Sequence, residues 1–123
     1  MIYLSRFIDI TKKPDENIGI PISVARKAPP WYVNGGGVEY PDLAPNKKDD
    51  RVNYADKLNN LDVIYTLNRL LYLTHGKDPI LVCESSMQDE VLFDWLTING
   101  FDCDHYIYKK EEKKDDSNNN ISQ

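Results

Sequence analysis

The chain is short of cysteine, glycine and histidine and has no long apolar run, and each shortage excludes something. Two cysteines, Cys83 and Cys103, cannot make a disulfide framework; with no export signal in MIYLSRFIDI, both read as reduced thiols of a cytoplasmic protein. No apolar stretch approaches the ~18 residues that span a bilayer, so no membrane partner is expected. Of the six glycines, three stand together at Gly35-Gly36-Gly37. They carry neither a following GKS/T nor G-x-G-x-x-G spacing, which argues for a loop and against a phosphate cradle. His75 and His105 have no metal-ligand spacing to each other or to the cysteines, so no metal and no cofactor is expected.

What is present suits one soluble domain. A chain of 123 residues with 41% hydrophobic content buries roughly two-thirds of its unfolded surface without staples. The net charge is −5, and the segment 109–123, with four lysines and four acids, adds nothing to it. An acidic domain repels phosphate backbones, so duplex nucleic acid is disfavoured as a partner. The expected organisation is a single α/β domain over 1–108 and a charged, Asn-rich disordered tail over 109–123.

Alternation over 2–8 predicts a first strand, and Thr11 to Gly19 a turn around Pro14-Asp15. A second strand is expected over Ile20 to Arg26, with Ile22 and Val24 in the core. Residues 27–50 hold four prolines and the triple glycine and predict a long irregular loop. Pro30 stiffens the arm that carries Trp31-Tyr32. From Val52, apolar residues at three- and four-residue spacing predict one helix over about 53–75, roughly 35 Å long, ending at Gly76. The continuous run Ile80 to Cys83 predicts a central strand covered on both faces. Ser85 or Ser86 then caps a helix, with Gln88 or Asp89 completing a capping box. That helix is expected to bury Val91, Leu92, Trp95, Leu96 and Ile98. A last strand is expected over about Cys103 to Tyr108. The order predicts a small Rossmann-like α/β fold, a two-layer or three-layer sandwich of about four strands and two main helices.

The junction between the third strand and the following helix is where α/β proteins hold ligands. Cys83 there reads as a nucleophile lowered by the helix N-terminus, or as a buried structural cysteine. No arginine stands six residues on, which argues against phosphatase or sulfur-transfer chemistry. Ser85 and Ser86 read as helix caps or as contacts to a carboxylate, phosphate or ribose. Trp31 and Tyr32 read as a stacking platform for a flat ligand, a partner anchor, or a lid on the domain's own core. Arg26 is the candidate cation. Glu90 and Asp94 read as a solvated helix face.

Taken in order, Arg26-x-x-Pro29-Pro30-Trp31-Tyr32, Leu43-Ala44-Pro45, the tyrosine- and leucine-rich helix, Ile80-Leu81-Val82-Cys83-Glu84 and Phe93-x-Trp95-Leu96 resemble the family called domain of unknown function number 488. The resemblance spans about residues 1–108. It implies a compact Rossmann-like domain with Arg26, Trp31, Cys83 and Glu84 at characteristic positions. Where members carry a Cys-His-Arg element, this chain has Met87-Gln88-Asp89.

Three functions follow as expectations. The first is binding of a small anionic or nucleotide-like ligand at residues 83–87 by Arg26, Trp31, Tyr32, Glu84, Ser85 and Ser86. The second is a protein–protein module, an inhibitor or adaptor that offers its 27–50 loop to a protein partner. The third is cysteine-dependent catalysis at Cys83.

Overall fold

The computed structural model describes residues 1–10 and 17–107. Most of the turn expected around Pro14-Asp15, Tyr108 and the 109–123 tail lie outside the described residues, and the last strand, expected to about Tyr108, stops at His105. Five parallel strands form one sheet: β1 (Ile2–Arg6), β2 (Ile20–Ser23), β3 (Val38–Glu39), β4 (Pro79–Cys83) and β5 (Cys103–His105), in the order β3-β2-β4-β1-β5. The helices are α1 (Pro30–Asn34), α2 (Arg51–Asn59), α3 (Val63–Leu73) and α4 (Ser86–Ile98). The chain is therefore the α/β, Rossmann-like fold expected.

Right-handed crossovers assign each connection to a face. The β3→β4 and β4→β5 connections run toward β5 and bring α2, α3 and α4 to one side of the sheet. There Ile2, Leu4, Ile22, Leu81 and Cys83 meet Tyr54, Leu58, Leu70, Leu92 and Trp95 in the main core. The β1→β2 and β2→β3 connections run the other way. That second face, built on Ile80 and Val82, is covered by Tyr3, Phe7, Ile10 and Tyr106. Phe7 in turn meets the α1 rings Trp31 and Tyr32. Period-2 alternation explains the split: Ile80 and Val82 face one layer, Leu81 and Cys83 the other. All five β4 residues are buried, as its continuous apolar run requires.

Several expectations need correction. The helix expected over 53–75 is two helices, because Asn60 and Asp62 interrupt a periodic stretch with end signals. The Asn60 side chain donates to the Asp56 carbonyl, and Asp62 caps α3 by accepting from the Tyr65 amide. The 27–50 segment is not a free loop. Pro29 is extended and Pro30 opens α1, after which the chain adds β3 to the sheet edge and buries Tyr40, Leu43 and Ala44. The first strand stops at Arg6, leaving Ile8 in an exposed 3-10 turn, and the second stops at Ser23. Ile98, in the last turn of α4, is exposed, whereas Val91, Leu92, Trp95 and Leu96 are buried as expected.

Candidate functional site

In an open parallel sheet, a crevice forms where neighbouring strands send their connections apart. Here those strands are β2 and β4, and the chain fills its own crevice. Arg26, three residues past β2, forms a fork with Glu84, just past β4: Nη2 to Oε2 at 2.8 Å and Nε to Oε2 at 2.8 Å. The Arg26 amide donates to Glu84 Oε1 at 2.8 Å. The Glu84 carboxylate raises the Arg26 pKa through that bidentate hydrogen bond. Beneath the pair, Gln88 is wholly buried, its amide nitrogen 2.7 Å from the Val24 carbonyl and its oxygen accepting from the Glu84 amide at 2.8 Å. Arg26 and Glu84, each expected to contact a ligand, instead satisfy one another.

Cys83 is 1% exposed, and burial pushes its thiol pKa well up. The opposite of the activation a nucleophile needs, this leaves a protonated core side chain. Ser85 is the N-cap of α4 and accepts from the Gln88 amide at 3.2 Å. Gln88 answers one residue earlier than a capping box does, at the Glu84 amide. Tyr32 is buried, and its hydroxyl donates to the Val38 carbonyl at 2.7 Å. Burial raises its pKa to about 12. A Cβ at Gly37 would sit 2.2 Å from this ring, so only glycine admits the close approach. Trp31 is half exposed and packs edge-on against Phe7 at 6.1 Å, on the face opposite α4. The two aromatics therefore do not fold over the α4 N-terminus.

Of the residues expected to bind a ligand, Ser86 lines an open cleft. That cleft, about 420 Å³, lies at the carboxyl ends of β1 and β5 and is bounded by Arg6, Ser86, Asp89, Glu90, Phe93, Asp94 and His105. Its size is within the range of small-ligand sites. Its helical wall is a single stripe: 86, 89, 90, 93 and 94 recur at the spacing that puts them on one side of α4, while Gln88, Val91, Leu92, Trp95 and Leu96 occupy the buried side. Arg6 Nη1 donates to Ser86 Oγ at 2.8 Å. At mid-cleft, His105 Nε2 is 2.8 Å from the buried Asp89 Oδ1, and its ring lies parallel to Phe93 with centroids 5.0 Å apart. Ser86 to Asp94 spans eight helical residues, about 12 Å.

The cleft has polarity. Its N-terminal end holds the Ser86 hydroxyl, the start of the α4 dipole and Arg6, whose Nε also lies 3.9 Å from Asp9 Oδ2; together they suit an anionic group. Its far end holds Glu90 and Asp94, suited to a cation, with Glu90 also 2.7 Å from Arg51. Sequence reasoning missed Arg6, Asp89, Phe93 and His105. The 86/89/90/93/94 stripe was the available signal, but it reads as an ordinary solvated face until β1 and β5 are set beside it. No family model, curated protein or solved structure matches the chain, so the resemblance noted above rests on its residues alone.

Proposed function

We propose that this chain is a small-molecule-binding domain whose ligand is a zwitterion laid along the outer stripe of α4. Its carboxylate or phosphate sits against Arg6 and Ser86, its body on the Phe93–His105 ring pair, and its ammonium toward Asp94 and Glu90. The observation that carries this reading is a ligand-sized cleft with Arg6 and Ser86 at one end and Glu90 and Asp94 toward the other. Three acids against one arginine oppose a polyphosphate, so of the nucleotide-like or other small anionic ligands expected from sequence the cleft favours a small one with a single anionic group. Asp89 holds the His105 ring in place from a largely buried position and so shapes the cleft floor.

The test is a graded series of ω-amino acids, from glycine to 6-aminohexanoate, with matched diacids and diamines as controls. Binding is followed by amide chemical shifts and by thermal stability. A ligand at about 100 Kd adds about 2.7 kcal/mol of stability. The longer zwitterions are expected to shift amides of residues 86–94 and 103–105. Arg6→Ala and Asp94→Asn are each expected to weaken binding about tenfold, the loss of one charge-assisted contact. Both are surface positions, so the fold is expected to survive. Diacids binding as well as the zwitterions, or a panel that moves no amide of the cleft, would sink the proposal.

A further inference from the structure

Helix α3 reads VIYTLNRLLYL, yet Thr66 and Leu70 are its only fully buried residues. Val63, Leu67 and Leu70 rest it on Trp95, Leu96 and Phe101. Its outer side exposes Ile64 at 64%, Tyr65 at 60%, Leu71 at 38% and Tyr72 at 71%. Large apolar side chains exposed singly need no explanation, but four on one helix make a patch. They also form a pattern: Ile64 and Tyr72 lie four residues either side of Asn68, and Tyr65 and Leu71 three either side. Residues spaced this way share one face.

We propose that this face is a self-association surface, and that its occupant is a second copy of the same helix, antiparallel, with the two-fold axis at Asn68. An isologous contact requires that residue i meet j while j meets i. Antiparallel pairing about Asn68 does this with apolar partners throughout, setting Ile64 against Tyr72 of the second copy and Tyr65 against Leu71. Arg69 is the face's one charge, and it folds over its own Tyr72 ring at 5.3 Å, so no like charges meet on the axis. The two helix dipoles oppose, which suits antiparallel pairing.

A lipid occupant fits less well. An acidic domain with one arginine on this helix lacks the basic face that binds an anionic lipid surface. The patch offers on the order of 400–500 Å² per copy, given the payload of a large side chain. Doubled, that is about 800–1,000 Å², below the roughly 1,200–2,000 Å² of stable specific interfaces and in the size class of weak, transient ones, so the dimer is weak, with a Kd on the order of 100 µM.

Sedimentation velocity on the full chain, from about tenfold below to tenfold above that Kd, is expected to show a monomer–dimer equilibrium. Ile64→Lys and Tyr72→Lys are each expected to weaken it at least about tenfold with an unchanged melting curve, since both positions are exposed. In a Cys103→Ser background, Asn68→Cys is expected to crosslink across the axis faster than Ile98→Cys, an exposed site on α4. A chain that stays monomeric over the whole range overturns the proposal. So does a dimer indifferent to Ile64→Lys, or Asn68→Cys crosslinking no faster than the control.

Discussion

Gln88→Leu is expected to lower the unfolding free energy by about 3–5 kcal/mol, a large share of what a domain of this size possesses. Leucine keeps the volume and removes every polar contact of a side chain with no exposed surface. The Gln88 amide nitrogen reaches the Val24 carbonyl at 2.7 Å, the Leu43 carbonyl at 3.3 Å and the Tyr54 hydroxyl at 3.3 Å. Its oxygen accepts from the Glu84 amide. One residue of α4 thus ties together the end of β2, the Leu43-Ala44 segment, α2 and the turn after β4. Truncation leaves the Glu84 amide without a partner and weakens the hold on the Val24 carbonyl, and each unsatisfied buried group costs about 1–3 kcal/mol. Tyr54→Phe is expected to cost less, about 1–2 kcal/mol, because the Leu43 carbonyl loses only the tyrosine hydroxyl at 2.6 Å. In urea titrations the double variant is expected to lose less than the sum of the two, since both belong to one network. A Gln88→Leu protein within about 1 kcal/mol of wild type would show that the network carries no stability.

Steep alkaline unfolding is the second large effect expected. Burial raises the pKa of Cys83, of Tyr54 and, to about 12, of Tyr32. In the unfolded chain these groups release protons near 9 for the thiol and 10 for the phenols. The folded state holds the protons longer, so raising the pH favours the unfolded state. Their stabilising contribution is complete below the unfolded values and is lost as pH rises from there toward the folded ones. Between its unfolded and folded values each group costs up to about 1.4 kcal/mol per pH unit, so Tyr32 alone removes about 2 kcal/mol by pH 12. Urea midpoints measured from pH 8 to about 11 are expected to fall with a slope that steepens above 10. Cys83→Ala and Tyr32→Phe are each expected to flatten the curve, at some cost in stability at neutral pH. Iodoacetamide should modify Cys103 in the native protein and Cys83 only as it unfolds, because Cys103 is partly exposed and Cys83 is not. A flat profile, or Cys83 alkylated at the native rate of an accessible thiol, would contradict this account; the latter would return cysteine chemistry to consideration.

Much of the fold was legible because local patterns carried it. The apolar run at Ile80–Cys83 reads as a central strand, since only a strand covered on both faces needs no polar residue. The α4 start was legible from Ser85, whose hydroxyl caps an amide three residues on. The split between α2 and α3 was available in Asn60 and Asp62, but eight apolar residues in helical register outweighed two end signals. The edge strand β3 was not legible. Two residues have no period, and their pairing with Ile22 and Ser23 is decided by the sheet.

The amino-acid sequence by itself determined the α/β class, the central strand, the α4 buried stripe and the place where a site would be sought. Those properties depend on spacing along the chain, which needs no partner to be read. Only the tertiary structure decided what each polar residue does there. Arg26 spends its charge on Glu84, and Cys83 and Tyr32 are packed away from solvent. Arg6, Ser86, Asp89 and His105 come from three separate elements to bound one cleft. Whether a charge is free for a ligand depends on what lies across from it. In a parallel sheet, that neighbour arrives from a strand distant in sequence.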